Sequence, residues 1–539
     1  MATPGMLYVT MEPQPGLSLD QFHEWYNNEH GPTRLKMPAI FQTGQRFQAT
    51  DGERPTFLAT YDVTDMAILT QPVYTDLRAH RSPREAETIG QVAVTRYLVD
   101  LQSSRQAPDF VDVGNLPDAE AEGRVLVYVD VSLQDVEGAE AEVVKWYEEE
   151  HFGMLTKVPG WLRTRRYRTS SIDTGAPLRI VTLHEYKAVN GLGGPEHKAS
   201  MDTQWRTEVF SKYLGKKGRR TYSLFYVFGA GPRDLQHLAP LPASKAFVSS
   251  DAKTATTPAS ETEGAVLQSY ITTPDGLEIP YRLEGNTAPD APTIAFSNSL
   301  LTSLHMWDAF VAILKRQRPN YRILRYDTRG RHAIPEPHVP ATVEMLAGDL
   351  RTLLGHLRIT KLDALVGVSL GGATTFQFAL KYPKLVSKFV ACDFNIASSD
   401  ANTAAWKERI GVAEGADDGM QTLAGITVSR WFDPQTVANQ PDATATMIAQ
   451  VAANNRDGFK YGCQALWTFN LREAAKGLRV PGLFVAGEND GKGALPKAME
   501  GFRATSGDGS IQLKIVPQAG HLPMYEQPQS FWEAVEHFL

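Results

Sequence analysis

Two hydrophobic rhythms divide the chain. From residue 7 to 102, and again from 125 to 230, short apolar runs alternate with polar positions and are separated by helical segments. That is the period-two pattern of strands with one buried face. Leu7-Tyr8-Val9-Thr10-Met11 opens the first segment and Val125-Leu126-Val127-Tyr128-Val129-Asp130-Val131 the second, and each reads strand, helix, strand, strand, helix, strand. From residue 265 onward, buried strands such as that containing Leu362, Leu365 and Val366 lead into amphipathic helices such as that carrying Ala373, Phe376, Phe378, Ala379 and Leu380. This strand–helix rhythm predicts an α/β fold with an open sheet. Between the two halves, residues 233–264 are rich in small polar residues and proline, which bury too little surface to offset ordering, so a flexible linker is expected. Residues 401–470 interrupt the α/β rhythm with a mostly helical insertion, read as a lid. The expected organisation is two related units at 1–104 and 122–232, the linker at 233–264, and an α/β domain at 265–539.

The first two units are repeats of one another. Phe22-His23-Glu24-Trp25-Tyr26-Asn27-Asn28-Glu29-His30 aligns with Val143-Val144-Lys145-Trp146-Tyr147-Glu148-Glu149-Glu150-His151, with Trp25 and Trp146 121 positions apart. Met37-Pro38-Ala39 answers Val158-Pro159-Gly160, and Arg46-Phe47 answers Arg166-Tyr167. The element order is the split βαβ pattern of ferredoxin-like folds, and two such units in one chain can pair their sheets and bury both apolar faces.

Candidate chemistry concentrates in the second half. Gly367-Val368-Ser369-Leu370-Gly371 breaks a hydrophobic strand sharply into a helix and fits the G-x-S-x-G nucleophile elbow. A second buried strand, Val480 to Ala486, runs into Gly487-Glu488-Asn489-Asp490, which places a carboxylate at a strand's C-terminal end, where open α/β sheets bind ligands. His521 lies on the loop after the alternating strand Ile511 to Val516. Ser369, Asp490 and His521 thus occur in the chain order of an α/β-hydrolase triad. In such a triad the imidazole moves the serine proton, the carboxylate holds the imidazole, and the serine carries the acyl group. Asp393, at the end of the strand Phe389 to Cys392, is the competing acid. The loop after the strand Thr293 to Ser297 brings Leu300, whose amide pairs with that of Leu370 as candidate oxyanion donors.

The segments SNSLLTSLHMWD (297–308), LRYDTRG (324–330), GVSLGG (367–372), AAWKERIGVAEG (404–415), SRWFDP (429–434), YGCQAL (461–466), VAGEND (485–490) and AGHLPMYEQP (519–528) resemble the 3-oxoadipate enol-lactonase branch of the α/β-hydrolases. The resemblance runs from about residue 265 to the end and includes the lid. It implies a serine hydrolase acting on a lactone or ester, working without cofactor or metal. Two departures are expected near the pocket mouth: Arg331-His332-Ala333 replaces the glycine turn after Asp327-Thr328-Arg329-Gly330, and Leu301 stands where that branch has glycine. His332 is expected to be a loop histidine. Trp307, Arg430, Trp431, Tyr461 and Trp467 are the candidate pocket residues, together with Trp406, Met420, Phe432 and Phe459 of the lid, and Arg430 is placed to meet a substrate carboxylate.

The repeats resemble the dimeric α+β barrel superfamily, and the Glu-His helix followed by Pro and an Arg-aromatic strand is similar to its EthD branch. That resemblance implies an interior cavity with His30 and His151 as candidate binding or acid/base residues for a hydrophobic, polyketide-like molecule, or, as a further alternative, haem ligands. The alternative reading has both histidines hydrogen-bonded across the repeat interface, with Trp25, Tyr26, Trp146 and Tyr147 as core.

Composition narrows the classes. With 539 residues and 42% hydrophobic positions, the chain has ample material for several cores. A net charge of −7 argues against sequence-independent nucleic-acid binding. The basic runs at 162–168 and 216–220 are read as solvated strand faces. Cys392 and Cys463 are the only cysteines, so a disulfide framework is not implied and a reducing, cytoplasmic setting is expected. The start has no secretory signature and no run reaches the length of a spanning helix, so no membrane partner is expected. The expected partner is a small-molecule substrate, with homo-oligomer formation possible. The expected function is opening of a lactone or ester of a small hydrophobic or polyketide-like molecule through a Ser369 acyl-enzyme. The alternatives are C–C bond hydrolysis or cofactor-free oxygen chemistry on the same triad, and a ligand-binding or assembly protein with a vestigial hydrolase fold.

Overall fold

Strand pairing organises both halves of the chain. In the computed structural model, which describes residues 2–415 and 417–539, the chain divides into the units Met1–Ala230 and Gly231–Leu539. The first holds eight strands: β1 (Gly5–Pro13), β2 (Phe41–Ala49), β3 (Phe57–Val63), β4 (Val92–Gln106), β5 (Val125–Leu133), β6 (Trp161–Thr169), β7 (Arg179–Tyr186) and β8 (Leu214–Val227). They close into one antiparallel barrel in the order β1-β3-β2-β8-β5-β7-β6-β4. Each repeat contributes a four-stranded block, β4-β1-β3-β2 and β8-β5-β7-β6, and the blocks join through β2·β8 and β4·β6. Neither block then has a free edge to cap, because each edge strand pairs with the other repeat.

Alternation along the strands sorts side chains to the two faces. One face packs inward, where Tyr8 and Tyr128 on the equivalent strands β1 and β5 stack at 4.7 Å among Leu58, Leu126, Tyr167, Leu183 and Tyr222. The other face packs against helices, Phe22, Trp25, Tyr26 and Tyr61 in the first repeat and Val143, Trp146, Tyr147 and Phe152 in the second. The Trp-Tyr-x-x-Glu-His segments become wide turns in both repeats. The Gly31 N–H reaches back to the Tyr26 carbonyl and the Phe152 N–H to the Tyr147 carbonyl, π-helical bonds over Tyr26–His30 and Tyr147–His151.

The basic run at 162–168 is not a solvated face. Arg163, Arg165 and Arg166 are buried. Arg165 lies 2.6 Å from Asp62 of β3 and 3.1 Å from Glu185 of β7, and Arg163 holds Glu185 through two bonds of 2.9 and 3.2 Å. Alternation carries Arg163 and Arg165 inward, where carboxylates offset the desolvation of the guanidinium groups, and turns Arg166 to the other face, where it meets Glu148. In the run at 216–220, Arg220 is likewise paired, with Asp51 at 2.9 Å.

The second unit is built on one mixed sheet with helices between its strands. Its strands are β9 (Phe247–Val248), β10 (Ala255–Thr257), β11 (Val266–Thr272), β12 (Glu278–Gly285), β13 (Thr293–Ser297), β14 (Arg322–Tyr326), β15 (Leu362–Val368), β16 (Val386–Cys392), β17 (Gly482–Gly487) and β18 (Gln512–Val516). They form one sheet in the order β18-β17-β16-β15-β13-β14-β12-β11-β10-β9, parallel from β18 to β14 and antiparallel beyond. Chain order reverses at β13, which lies between β14 and β15. The loops after β13 and β15 therefore flank the crevice at this switch point.

The expected linker at 233–264 is a part of this unit. Leu235 and Leu238 are buried in its core, and β10 extends the sheet by pairing with β11. Its few apolar residues lie within the polar composition and are recruited by a core formed from residues downstream. Between β16 and β17, helices spanning Asp400–Glu414, Gly419–Trp431, Pro434–Asn439, Pro441–Ala452, Arg456–Gln464 and Arg472–Ala475 form the helical excursion. Among the described residues, no helix is long and apolar enough to cross a membrane.

Replacing Asp62 with Leu strands part of the Arg165 charge in the barrel. With Glu185 still in contact, the loss is expected to be about 2–3 kcal/mol, and Asp62→Leu combined with Arg165→Met should regain most of it. Urea unfolding of the single and double variants measures both. A double variant no more stable than the single one would show that the pair is not what holds this part of the barrel.

Candidate active site

Ser369 occupies a backbone conformation that a serine seldom adopts, with φ 59° and ψ −120°. Holding it costs about 1–3 kcal/mol, and three close backbone approaches maintain it. A Cβ on Gly371 would stand 2.5 Å from the Asn298 carbonyl oxygen, one on Gly372 2.7 Å from that of Cys392, and one on Gly367 2.6 Å from the Gly371 carbonyl carbon. The Ser369 N–H donates to the Cys392 carbonyl at 2.9 Å. The helix Leu370–Lys381 is thereby pressed onto β15 and β16, with its first turn against the loop that follows β13.

Asp490 and His521 are brought to the same cavity. His521 Nδ1 lies 2.7 Å from Asp490 Oδ2, and both side chains are largely shielded from solvent. The His521 ring stacks on Trp431, with centroids 5.6 Å apart, and the backbone N–H of His521 donates to the Trp431 carbonyl at 2.7 Å. Ser369, Leu370, Asp393, Asp490 and His521 line one cavity of about 410 Å3, within the size range of small-molecule sites.

Among the described residues Asp393 makes no hydrogen bond to His521. Its Oδ1 accepts the Gly487 N–H at 2.9 Å, and the carboxyl is buried next to Asp490. Burial, and then the neighbouring Asp490 charge, raise its carboxyl well above the usual range, so it is held neutral. Of the two candidate acids, Asp490 is the one in contact with the histidine.

The predicted pocket residues separate. Trp431 and the exposed Arg430 line the cavity, joined by Trp406 and by Arg409, Leu466 and Phe469, which sequence reasoning missed. Trp307, Tyr461 and Trp467 are not among the lining residues, nor are Met420, Phe432 and Phe459. Trp307 is fully buried and donates to Asn298 Oδ1 at 2.9 Å, bracing the loop after β13. Tyr461 accepts from Arg329 at 2.9 Å, an arginine also bound to Asp349 and Asp275. Trp467 packs under Lys407, whose Nζ lies 5.5 Å from the ring centroid. Leu300 is buried beside the elbow but does not line the cavity, and neither its N–H nor that of Leu370 donates a hydrogen bond among the described residues.

The two departures from the hydrolase pattern meet each other rather than the cavity. Leu301 adopts φ 72°, and its carbonyl accepts from Arg331 at 3.2 Å and from Asn454 at 2.7 Å. His332 is half exposed and bonds Asp327 at 2.8 Å.

The helical excursion braces the loops that carry Asp490 and His521. Asp433 accepts from the Asn489 amide at 2.6 Å, and a Cβ on Gly520 would run into the Trp431 carbonyl. Buried Glu526 gathers three N–H groups, from Asp433 at 2.7 Å, Gly520 at 3.0 Å and Leu522 at 3.3 Å. Glu526 lies in AGHLPMYEQP, but its role is invisible there because one of its partners lies 93 positions away.

In the barrel, His30 and His151 lie not in the interior but between the strands and the helices. His30 Nδ1 bonds Glu85 of its own repeat at 2.9 Å rather than reaching across to the other. His151 stacks on Trp146 at 4.5 Å and bonds the Ser200 backbone, while its Nδ1 is buried without a partner among the described residues.

The Alpha/beta hydrolase family matches residues 302–534. 3-Oxoadipate enol-lactonase 2 of Acinetobacter baylyi is 28% identical over 247 residues, covering 46% of this chain and 88% of that protein. 3-Oxoadipate enol-lactonase 1 of the same organism is 29% identical over 255 residues, covering 47% and 91%. The crystal structure of the enol-lactonase from Burkholderia xenovorans aligns at 29% identity and a TM-score of 0.44, over 48% of this chain and 96% of that one. The C-terminal half of the chain is an α/β hydrolase related to the 3-oxoadipate enol-lactonases.

Proposed function

We propose that Ser369, His521 and Asp490 form a catalytic triad that opens a lactone or ester through an acyl-enzyme. The observation that carries this reading is the 2.7 Å contact of His521 with Asp490 beside a serine at positive φ, all lining one cavity. Asp490 fixes Nδ1 as the protonated nitrogen, which leaves Nε2 to take the Ser369 proton during attack and return it to the leaving oxygen. For a lactone that oxygen stays tethered to the acyl group, and water then releases a hydroxy or keto acid. The unengaged amides of Leu300 and Leu370 are the donors assigned to the developing oxyanion, each worth about 2.7–4 kcal/mol in the transition state.

The helical excursion acts in this reading as a lid. Trp406, Trp431, Leu466 and Phe469 provide an apolar wall, and Arg409 and Arg430 provide two cations for an acidic substituent on the substrate. Substrate specificity then resides in these helices, and chemistry in the sheet loops. For the barrel, the strand blocks β4-β1-β3-β2 and β8-β5-β7-β6 support two ferredoxin-like repeats of the EthD kind, fused so that one chain supplies what two would.

Ser369→Ala is expected to abolish turnover of aryl esters and small lactones while leaving the circular dichroism spectrum unchanged. Asp490→Asn should lower kcat by about 10^3–10^4, whereas Asp393→Asn should leave most activity, since that carboxyl is already neutral. Equal damage from the two aspartate variants would remove Asp490 from its assigned role.

Glu526 links pH to the loop bearing His521. Burial pushes its carboxyl up to about 7, against the N–H donors that pull it down. In the unfolded chain it titrates near 4.5, so between these values the folded state holds the proton more tightly. The stability this group contributes therefore falls as pH rises through that window. Glu526→Gln removes the titration, and its stability relative to the parent should climb by up to about 3 kcal/mol from pH 4.5 to 7. Urea unfolding at three pH values checks this, and a flat difference would contradict it.

A further inference from the structure

We propose that Arg331 is a positioning residue for acyl transfer: it clamps the Leu301 carbonyl to the helical excursion and so aims the neighbouring Leu300 amide, on whose role as an oxyanion donor the inference rests. Arg331 touches no reacting atom in this reading. It acts through the loop that follows β13.

That loop is pinned at both ends from the core. Asp327 Oδ1 accepts the Asn298 side-chain amide at 3.3 Å and the Leu304 N–H at 2.7 Å, and Asn298 Nδ2 also donates to the Tyr326 carbonyl at 2.9 Å. The middle is different. Leu301 is buried and takes φ 72°, a left-handed conformation that glycine adopts freely and leucine does not. With the ends fixed, a return of Leu301 to negative φ has to be absorbed by the planar peptide units beside it, and the Leu300 N–H turns with them.

Two donors from outside the loop hold the strained conformation. Arg331 Nη1 donates to the Leu301 carbonyl at 3.2 Å and Asn454 Nδ2 at 2.7 Å. Arg331 governs the second donor as well, because the same Nη1 donates to Asn454 Oδ1 at 3.1 Å and so decides which end of that amide faces Leu301. The Gln450 and Val451 carbonyls, at 3.2 and 2.9 Å, compete for the Asn454 N–H groups. The guanidinium is itself fixed, with Nη2 3.4 Å from the Gln450 carbonyl and Nε 3.7 Å from Asp327 Oδ2. A planar fork serves these groups together; a single ammonium does not.

The helical excursion bears on the same point. Gln450 Oε1 accepts from the Ser303 N–H at 3.3 Å and its hydroxyl at 3.1 Å. A Cβ on Gly462 would stand 2.7 Å from Leu300 Cδ1, and one on Gly458 would run into the Gly330 carbonyl. The helix Arg456–Gln464 is thus seated on Leu300 and on the turn that bears Arg331. Leu301 and Arg331, the two departures from the hydrolase pattern, then form one device: the leucine needs a clamp and the arginine supplies it.

The test is made on the full chain with p-nitrophenyl acetate as substrate. Arg331→Met removes the donors and is expected to lower kcat about 10^2-fold with KM changed less than about threefold, because the amide it aims acts on the transition state. Benzeneboronic acid, whose boron bonds the Ser369 oxygen as the proton passes to His521, should bind that variant more weakly by a similar factor. Leu301→Gly placed in Arg331→Met should return kcat to within about fivefold of the parent, since glycine holds positive φ unaided. A purely stabilising role for Arg331 is not relieved by trimming a residue 30 positions away. Thermal melting followed by circular dichroism establishes that each variant is folded, and if Arg331→Met is not, Arg331→Lys carries the same comparison with and without Leu301→Gly. A parental kcat, a loss confined to KM, unchanged boronate binding, or no recovery with Leu301→Gly would each overturn the proposal. Turnover retained by Ser369→Ala would instead remove the triad reading beneath it.

Discussion

The elbow at Ser369 exists because backbone meets backbone at distances that no Cβ tolerates. Gly367, Gly371 and Gly372 each sit where a methyl group would enter a carbonyl or a neighbouring chain. Those contacts hold a serine at positive φ at the C-terminal end of β15, and the rest of the cavity is arranged around that point. The Ser369 N–H draws on the Cys392 carbonyl, so the end of β16 is held at the same level. Asp393, the next residue, turns at φ 43° and gives Oδ1 to Gly487 at the end of β17. Three adjacent strand ends are thus tied into one layer, and a strain of about 1–3 kcal/mol at one serine is offset by the burial of the strands and helix it joins.

The hydrolase half was legible where its chemistry is local. The strand-glycine-serine-glycine-helix sequence dictates the elbow, and Asp490 and His521 each follow a recognisable strand, so chain order alone assembled the candidates. What sequence reasoning missed comes from residues whose roles depend on distant partners. Glu526 and Asp433 matter because they bind the Gly520–Leu522 and Asn489 segments. Trp307 and Tyr461 are as aromatic as Trp431, yet hydrogen bonds to Asn298 and Arg329 commit them to bracing. The difference between a wall of the cavity and a strut behind it lies in partners that composition does not reveal.

In the barrel the repeat and its element order were legible, but the destination of its charges was not. Arg163 and Arg165 share a face by strand alternation, and the pattern is the same whether that face meets water or the interior. Asp62, which decides the matter, belongs to the other repeat and stands 103 positions from Arg165. The error over residues 233–264 has the same origin. Leu235 and Leu238 are two apolar residues in a polar stretch, and they join the same core as Leu267 and Ile271 of β11, Ile279 and Leu283 of β12 and Leu350 of the helix Val343–His356.

Duplication explains why the two histidines look alike in sequence and differ in place. Both arise from the same wide turn, in which one extra residue per turn pushes the ring at its end towards the sheet. That geometry is a property of the helix and survives in both copies. The environment is a property of what faces it. A glutamate from the helix Pro83–Ile89 closes the first copy, and in the second the equivalent approach is made by the helix Gln204–Lys212, which brings Arg206 instead. A change of sign on one packing helix leaves the second histidine bonded to the Ser200 backbone where the first has a carboxylate, and it does so while the strands, the turn and the contact of each ring with its tryptophan are kept.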